Sequence, residues 1–514
     1  MRIQITAAAI KPVTSKTERP PSAQTQESPF GGLIKTLAAV LLAAVSGFAA
    51  SAKDRPLALH PDNPHYFLWR GQPTVLITSA EHYGAVMNLD FDYVPYLNEL
   101  EARKLNNTRV FSGAYVEPAG AFNITQNTLA PLPGRFITPW ARSSQPGYAN
   151  GGNKFDLTQW DENYFKRLRD FVKEAGRRGV VVEMNLFCPF YEESQWKLSP
   201  QNSSNNVNGL GNVARTDVYT LDKNGGLLAV QEAMTRKIVT ELNAFDNLYF
   251  EICNEPYFGG VTEPWQRKII DGLGAAQREV GCRKLISLNI ANGSQRVDNP
   301  HPAVSLFNFH YCHPPVVVAD NWHLNKPIGE NETGFRGPQD FLYRTEGWDF
   351  MLAGGALYNN LDYSFSATHP AGTLSDYRSP GGGSLALRQQ LGTLKQLIDG
   401  LPLPHIAPQP SDLVETSPEL ICSCLGKADE AYLLYVHRKI PKKLNQSALD
   451  QLHAPHAPVE LSIGLPAGDY DVVRINPVSG ERGQLPSLSV KDQRASLSLP
   501  DFHMDAALLL TKQP

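Results

Sequence analysis

The stretch NLYFEICNEP, residues 247–256, runs six residues of mostly apolar, strand-forming chain directly into Asn254, Glu255 and Pro256. A carboxylate is thereby delivered at the end of a segment whose composition asks for burial. Leaving an ionised carboxylate buried and unpaired costs roughly several kcal/mol, so Glu255 is either held by hydrogen bonds or used for chemistry. Pro256 biases the residue before it away from helical backbone, which predicts a sharp end to the strand at the carboxylate.

Working outward, seven more segments share this texture: PTVLITS (73–79), NTRVFSG (107–113), VVVEMNLF (180–187), KLISLNI (284–290), VSLFNFH (304–310), KPIGENE (326–332) and GALYNNLDYSF (355–365). Amphipathic segments lie between them. In 161–178, Phe165, Leu168, Val172 and Ala175 recur at helical spacing opposite Lys166, Arg169, Lys173 and Arg177, and similar patterns fill 90–104, 227–243, 264–279 and 384–400. Repeated βα units predict a parallel sheet. Eight of them close most economically into an α/β (β/α)8 TIM barrel, whose working face is the C-terminal end of the strands. An open, nucleotide-binding sheet would carry a Gly-rich phosphate fingerprint after an early strand, and none is present. Beyond the Pro-rich LPLPHIAPQP the texture changes to short alternating strands with turn signals, which predicts a small all-β sandwich. The expected organisation is an N-terminal lead with a signal peptide over 1–52, a barrel over 53–401 and a C-terminal accessory sandwich over 402–514.

The composition excludes several classes. A formal charge of −4 without a local Lys/Arg run provides no field for phosphate backbones, so nucleic acid is not an expected partner. Lys35 precedes the apolar run TLAAVLLAAVSGFAASA, which ends in small residues at Ala50 and Ala52. This pattern predicts a secretory signal cleaved near 50–53, a secreted or periplasmic product, and no stable membrane insertion after cleavage. Six scattered cysteines match no compact disulfide framework. Cys422 and Cys424 lack the second pair a zinc site needs.

In such a barrel Glu255 stands just past strand four and Glu332 at the end of strand seven, so two carboxylates converge on one rim. Glycoside hydrolysis requires such a pair, one group to protonate the leaving oxygen and one to attack or to activate water. Asn254 offers an uncharged donor for a sugar hydroxyl. Glu330 competes with Glu332, because period-two alternation predicts the same face one layer deeper. Glu81, His82 and Tyr83 follow strand one, and Asn185, Asp362 and Tyr363 end strands three and eight. The loops 114–157 and CPFYEESQW (188–196) would wall the cleft. A metal cluster in HYCH (310–313) is disfavoured, since adjacent strand residues face opposite ways.

NEP closing strand four, with a Pro five residues before a Glu in KPIGENE, resembles the clan A glycoside hydrolases, and the frame over residues 58–400 is similar to the cellulase-like family 5. The resemblance implies double displacement on a β-linked oligo- or polysaccharide with retention of configuration, Glu255 as acid/base, Glu332 as nucleophile, and no metal or cofactor. The family's Pro-to-Glu spacing favours Glu332 over Glu330. Arg109 in NTRV matches the arginine that steadies the nucleophile, and His310 in FNFHY the active-site histidine. Two departures stand out. Where the family places a Tyr two residues after that His, this chain has Cys312, so Tyr311 or another Tyr takes over the hydrogen bond. The family's strand-eight Trp is not evident in LYNNLDYSF, where Tyr363 is the expected sugar-stacking stand-in. The Glu332 charge is expected to raise the pKa of Glu255. A transglycosylase shares the same intermediate, and a non-catalytic carbohydrate-binding barrel is the rival from another class.

Overall fold

The computed structural model describes residues 55–514; the signal-peptide reading of the N-terminal run lies outside the described residues. Eight strands, β1 (Leu76–Ala80), β2 (Asn107–Phe111), β3 (Val181–Phe187), β4 (Leu248–Cys253), β5 (Ile286–Asn292), β6 (Leu306–His310), β7 (Ile328–Thr333) and β8 (Leu357–Leu361), form one parallel sheet. Each pairs with the next from β2 to β8, and β8 pairs with β1. The chain therefore forms the (β/α)8 barrel, each strand within a few residues of its sequence prediction.

The seam between β1 and β2 is closed by a side chain rather than by a full ladder. Asn106 accepts from Ile77 N at 3.0 Å through Oδ1, donates to Val75 O at 2.9 Å through Nδ2, and its own N–H reaches Ile77 O at 3.2 Å. An amide side chain presents the same donor and acceptor pair as a peptide unit. It completes the ring where the strands themselves do not pair.

The principal helices are α1 (Tyr93–Ala102), α2 (Glu162–Arg177), α3 (Leu227–Leu242), α4 (Glu263–Glu279), α5 (Val316–Asn321), α6 (Asp340–Leu352) and α7 (Leu385–Asp399). In α2 the apolar stripe is buried, and the carboxylate of Asp161 caps the first turn by accepting from Asn163 N at 2.9 Å. Helix α6 is different. Every residue from Phe341 to Leu352 is buried, so it has no polar face and no amphipathic signature.

Two antiparallel sheets follow the barrel. Six strands pair in the order Ala407–Pro408, Leu420–Lys427, Ala431–Arg438, Asp505–Lys512, Gly468–Ile475 and Arg482–Val490, and three in the order Val414–Glu415, Val459–Gly464 and Arg494–Leu499. Strand Ala431–Arg438 explains both cores. Tyr432, Leu434 and Val436 enter the sandwich core with Leu461, Ile463 and Leu508, whereas Leu433 and Tyr435 on the other face join the barrel's core. Burial on both faces accounts for the unbroken apolar run AYLLYV. On the barrel side Tyr435 stacks on Trp348 of α6 with ring centroids 4.7 Å apart, Arg344 pairs with Asp505 at 2.7 Å, and Asp349 with His437 at 3.1 Å. All six cysteines are free thiols. No helix among the described residues is long and apolar enough to cross a membrane.

Candidate active site

Polar residues interrupt the apolar strands at matching depth: Arg109 on β2, Glu183 on β3, Glu251 on β4, Asn308 on β6 and Asn331 on β7, all buried. They form one network inside the barrel. Arg109 Nε donates to Glu183 at 2.8 Å and its Nη2 to Glu251 and to Asn254 Oδ1, the latter at 2.7 Å. Asn308 and Asn331 complete Glu251 at 2.7 and 2.9 Å, while Tyr249 and Asn331 complete Glu183, each at 2.7 Å. Burial, and then the charge of Glu251, pushes Glu183 up to about 8 against the pull of Arg109 and the Tyr249 hydroxyl. The third arm of the guanidinium, Nη1, points up the barrel to Glu332 at 3.3 Å.

Glu332 receives three further contacts at the C-terminal rim. Tyr83 O–H donates at 2.9 Å, Tyr311 O–H at 2.7 Å, and His310 Nδ1 lies 3.6 Å away. Two tyrosines thus stand where one was expected. Cys312 does not hydrogen-bond to Glu332; its N–H donates instead to Glu330 at 2.6 Å. Glu255 sits opposite. His310 Nδ1 reaches its Oε1 at 3.1 Å, Tyr257 Oη lies 3.2 Å from the same oxygen, and Tyr191 O–H donates to the other oxygen at 2.6 Å. One donor atom each of Glu255, His310 and Glu332 lie within 4.8 Å of one another. A Glu–His–Glu trio has the donor types for a metal, but a proton on Nδ1 between two carboxylates already accounts for the approach.

The backbone is bent to achieve this. Glu255, Tyr311 and Tyr83 have φ of 35°, 56° and 60°, a region costly for side chains of this size and concentrated at functional sites. At Glu255 the turn is the strand-ending break predicted at Asn254–Pro256.

Several expectations are corrected. Burial alone raises the Glu255 carboxyl, but the hydrogen bond and charge of His310, with the Tyr191 and Tyr257 hydroxyls, outweigh it and hold Glu255 below the usual carboxylate range; the neighbouring Glu332 charge does not win. Glu330 does not lie beneath Glu332. His310 is opposite Glu332 and Phe309 opposite Glu330, leaving Asn331 as a bulge that turns Glu330 outward, where burial and Glu346 of α6 raise it well above the ordinary value. Glu81 is fully buried and anchors its own loop, accepting from Gly84 N, Ala85 N and Thr128 Oγ1 at 3.1, 3.0 and 2.5 Å. Tyr363 is buried behind His82, ring centroids 6.3 Å apart, and is no stacking surface. Asn254 is a relay: its Nδ2 donates to Tyr191 Oη at 2.9 Å, so Arg109, Asn254, Tyr191 and Glu255 are joined in one chain of hydrogen bonds. Asn185 donates to Phe187 O of its own strand at 2.8 Å, and Asp362 accepts from Arg388 Nη1 of α7 at 2.6 Å.

A cavity of about 440 Å³ opens over the two carboxylates, lined also by His82, Tyr115, Glu117, Tyr191 and Tyr311. Burial pushes Glu117 up to about 7 against the hydrogen bonds of Asn127 and Tyr115, and burial lowers His82 to about 4. Tyr191 and Glu117 belong to the two loops expected to wall the cleft, though their proximity to the carboxylates depends on loop paths without periodicity. A larger cavity, about 1430 Å³, runs along α6, α7 and the C-terminal sheet; there Glu99 and Asp505 are paired with Arg388 and Arg344, and Ser384 donates to Asp340.

No protein-family model matches the chain, and no curated protein sequence does. Solved structures do. A provisionally assigned glycoside hydrolase from Bacteroides vulgatus superposes with a TM-score of 0.60 at 13% identity, covering 90% of this chain and 84% of its own. A glycoside hydrolase family 5 structure from the same organism gives 0.57 at 12%, covering 90% and 95%. At such identities the likeness establishes a shared fold, barrel and C-terminal sheets together.

Proposed function

We propose that the chain is a retaining glycoside hydrolase acting on β-linked glycans by double displacement. One observation carries the reading: carboxylate oxygens from the ends of β4 and β7 lie within 4.8 Å of each other on the floor of one cavity. Retaining enzymes hold the two groups about 5 Å apart, and inverting ones leave roughly 6.5–9.5 Å for a water. The fold shared with glycoside hydrolases supports the same reading.

Glu332 is the nucleophile. Arg109, Tyr83 and Tyr311 donate to it and hold it aimed at the anomeric carbon. Glu255 is the acid/base, and the proton it gives the leaving oxygen comes from the pair it forms with His310 Nδ1. Attack by Glu332 breaks the glycosidic bond and forms an ester, which removes the charge on one side of the imidazole. Glu255 then takes a proton from water as the water attacks the anomeric carbon, and the ester is cleaved with net retention. Residues 53–401 are the catalytic unit and 402–514 the accessory sandwich. The N-terminal apolar run supports action outside the cytoplasm.

Turnover on β-glucan, mannan, xylan and aryl β-glycosides tests this, with Glu255→Gln and Glu332→Gln beside the parent. A 2-deoxy-2-fluoro glycoside is expected to leave a covalent adduct on the peptide containing Glu332. Saccharide binding without new reducing ends would instead make the chain a carbohydrate-binding barrel, and products longer than the substrate a transglycosylase.

A further inference from the structure

Only four Phe, Tyr or Trp side chains are exposed among the described residues: Phe122 at 39%, Tyr257 at 37%, Phe258 at 43% and Phe335 at 40%. They come from three different loops, after β2, β4 and β7, yet three of them, Phe122, Phe258 and Phe335, line the same cavity. The fourth, Tyr257, reaches through its hydroxyl to Glu255, a carboxylate that lines it. Exposed apolar side chains scattered singly need no explanation, but a gathering of this kind marks a binding surface.

Its position relative to the carboxylates is asymmetric. Phe122 and Phe258 both pack on Tyr191, ring centroids 5.5 and 5.8 Å away, and Tyr191 donates to Glu255. Phe335 packs edge-on against Tyr311, which donates to Glu332. Two of the three phenyl rings therefore flank the group that protonates the leaving oxygen. The polar groups nearby are already engaged with each other: the Tyr257 hydroxyl is shared between Glu255 and Asn292, and Arg336 donates to Glu346 at 3.1 Å. A sugar in this position would meet the bare phenyl rings of Phe122 and Phe258 and hydroxyls of Tyr257 and Tyr191 already engaged with Glu255, and polar groups left unpaired on binding cost affinity.

We infer that Phe122, Phe258 and Tyr257 form an aglycone site for an apolar leaving group, an alkyl or aryl moiety rather than a further sugar. The inference rests on the glycosidase reading above and names its substrate class: β-glycosides with an apolar aglycone. Phe122 is held with φ at 53° in a short 3₁₀ turn, so its ring projects from a constrained backbone rather than a free loop tip.

The test uses the full chain and alkyl glycosides of whichever sugar is turned over fastest. Methyl and hexyl β-glycosides have leaving groups of similar basicity and differ in apolar area. kcat/KM is expected to rise at least about tenfold from methyl to hexyl, a fraction of what five fully buried methylenes supply. Phe122→Ala and Phe258→Ala are each expected to bring the hexyl-to-methyl ratio towards one, while Val478→Ala, at an exposed apolar residue in the turn between strands Gly468–Ile475 and Arg482–Val490, leaves that ratio in place. Equal rates on methyl and hexyl glycosides, a ratio indifferent to both Phe variants, or a larger gain from a second sugar than from the hexyl chain would each overturn the aglycone site and leave the hydrolase reading standing. Failure to hydrolyse any glycoside would overturn that reading and the site with it.

Discussion

His310 is the residue on which the two carboxylates meet, since one nitrogen reaches both. Its hydrogen bond and charge help hold Glu255 low against the upward push of burial. Replacing it with Asn removes that charge, so the Glu255 carboxyl rises, and the alkaline limb of the kcat/KM profile, which reports loss of the acid's proton, moves to higher pH. An unmoved or lowered alkaline limb would count against the assignment. Tyr83 and Tyr311 each donate one hydrogen bond to Glu332. Bonds to charged groups are worth about 1.5–3 kcal/mol, so each Tyr→Phe change is expected to lower kcat/KM by roughly ten- to a hundredfold in steady-state assays. Glu255 is legible in the sequence because a short motif ends an apolar strand, and Glu332 because it ends another. Glu81 and Tyr363 depart from expectation for a common reason: a polar residue near a strand end can turn to its own loop as easily as to the cleft, and only the path of the loop decides.

Among the elements, the β1–β2 seam depends on one amide. Asn106→Ala removes its bonds to Ile77 N and Val75 O; it leaves Ile77 N buried without a partner, while Val75 O keeps the Thr74 hydroxyl at 3.0 Å. At about 1–3 kcal/mol for the orphaned group, a loss of roughly 2 kcal/mol is expected, seen as a lower urea midpoint with an unchanged slope. The eight strands are legible because fully buried parallel strands read as apolar runs. Glu330 is not, because alternation fails at a bulge and the bulged residue, Asn331, is itself polar. Helix α6 escapes a periodicity reading for the opposite reason to α2: a helix covered on all sides loses the pattern by which helices are recognised.

Across the whole molecule, the buried acids set the pH dependence of stability. Glu81 and Glu117 are pushed up to about 7 and Glu183 to about 8, whereas the unfolded chain loses these protons near 4.5. Each therefore contributes stability that is present below about 4.5 and lost as pH rises through its folded value. His65 and His82 are lowered to about 4 by burial, and they oppose this trend only below about pH 6.5, where an unfolded imidazole gains its proton. Between pH 6.5 and 8 these acids act in the same direction as Glu330 and His437, both also raised in the fold, and the melting temperature is expected to fall across that interval; a rise, measured by scanning calorimetry, would contradict the burial of these groups. The barrel and the sandwich are expected to melt together, since Arg344 and Asp505 pair across their junction with both side chains buried. Arg344→Met leaves Asp505 buried without its charge partner and is expected to cost about 3–5 kcal/mol, shifting a single transition rather than splitting it.

Because α6 has no surface of its own, it belongs to both lobes at once. The sandwich is thus no detachable cassette: grafting another protein's sandwich onto this barrel, or trimming it away, would uncover Trp348 and the rest of a helix packed on every side, and any successful chimaera must transplant that helix together with the sheet that roofs it.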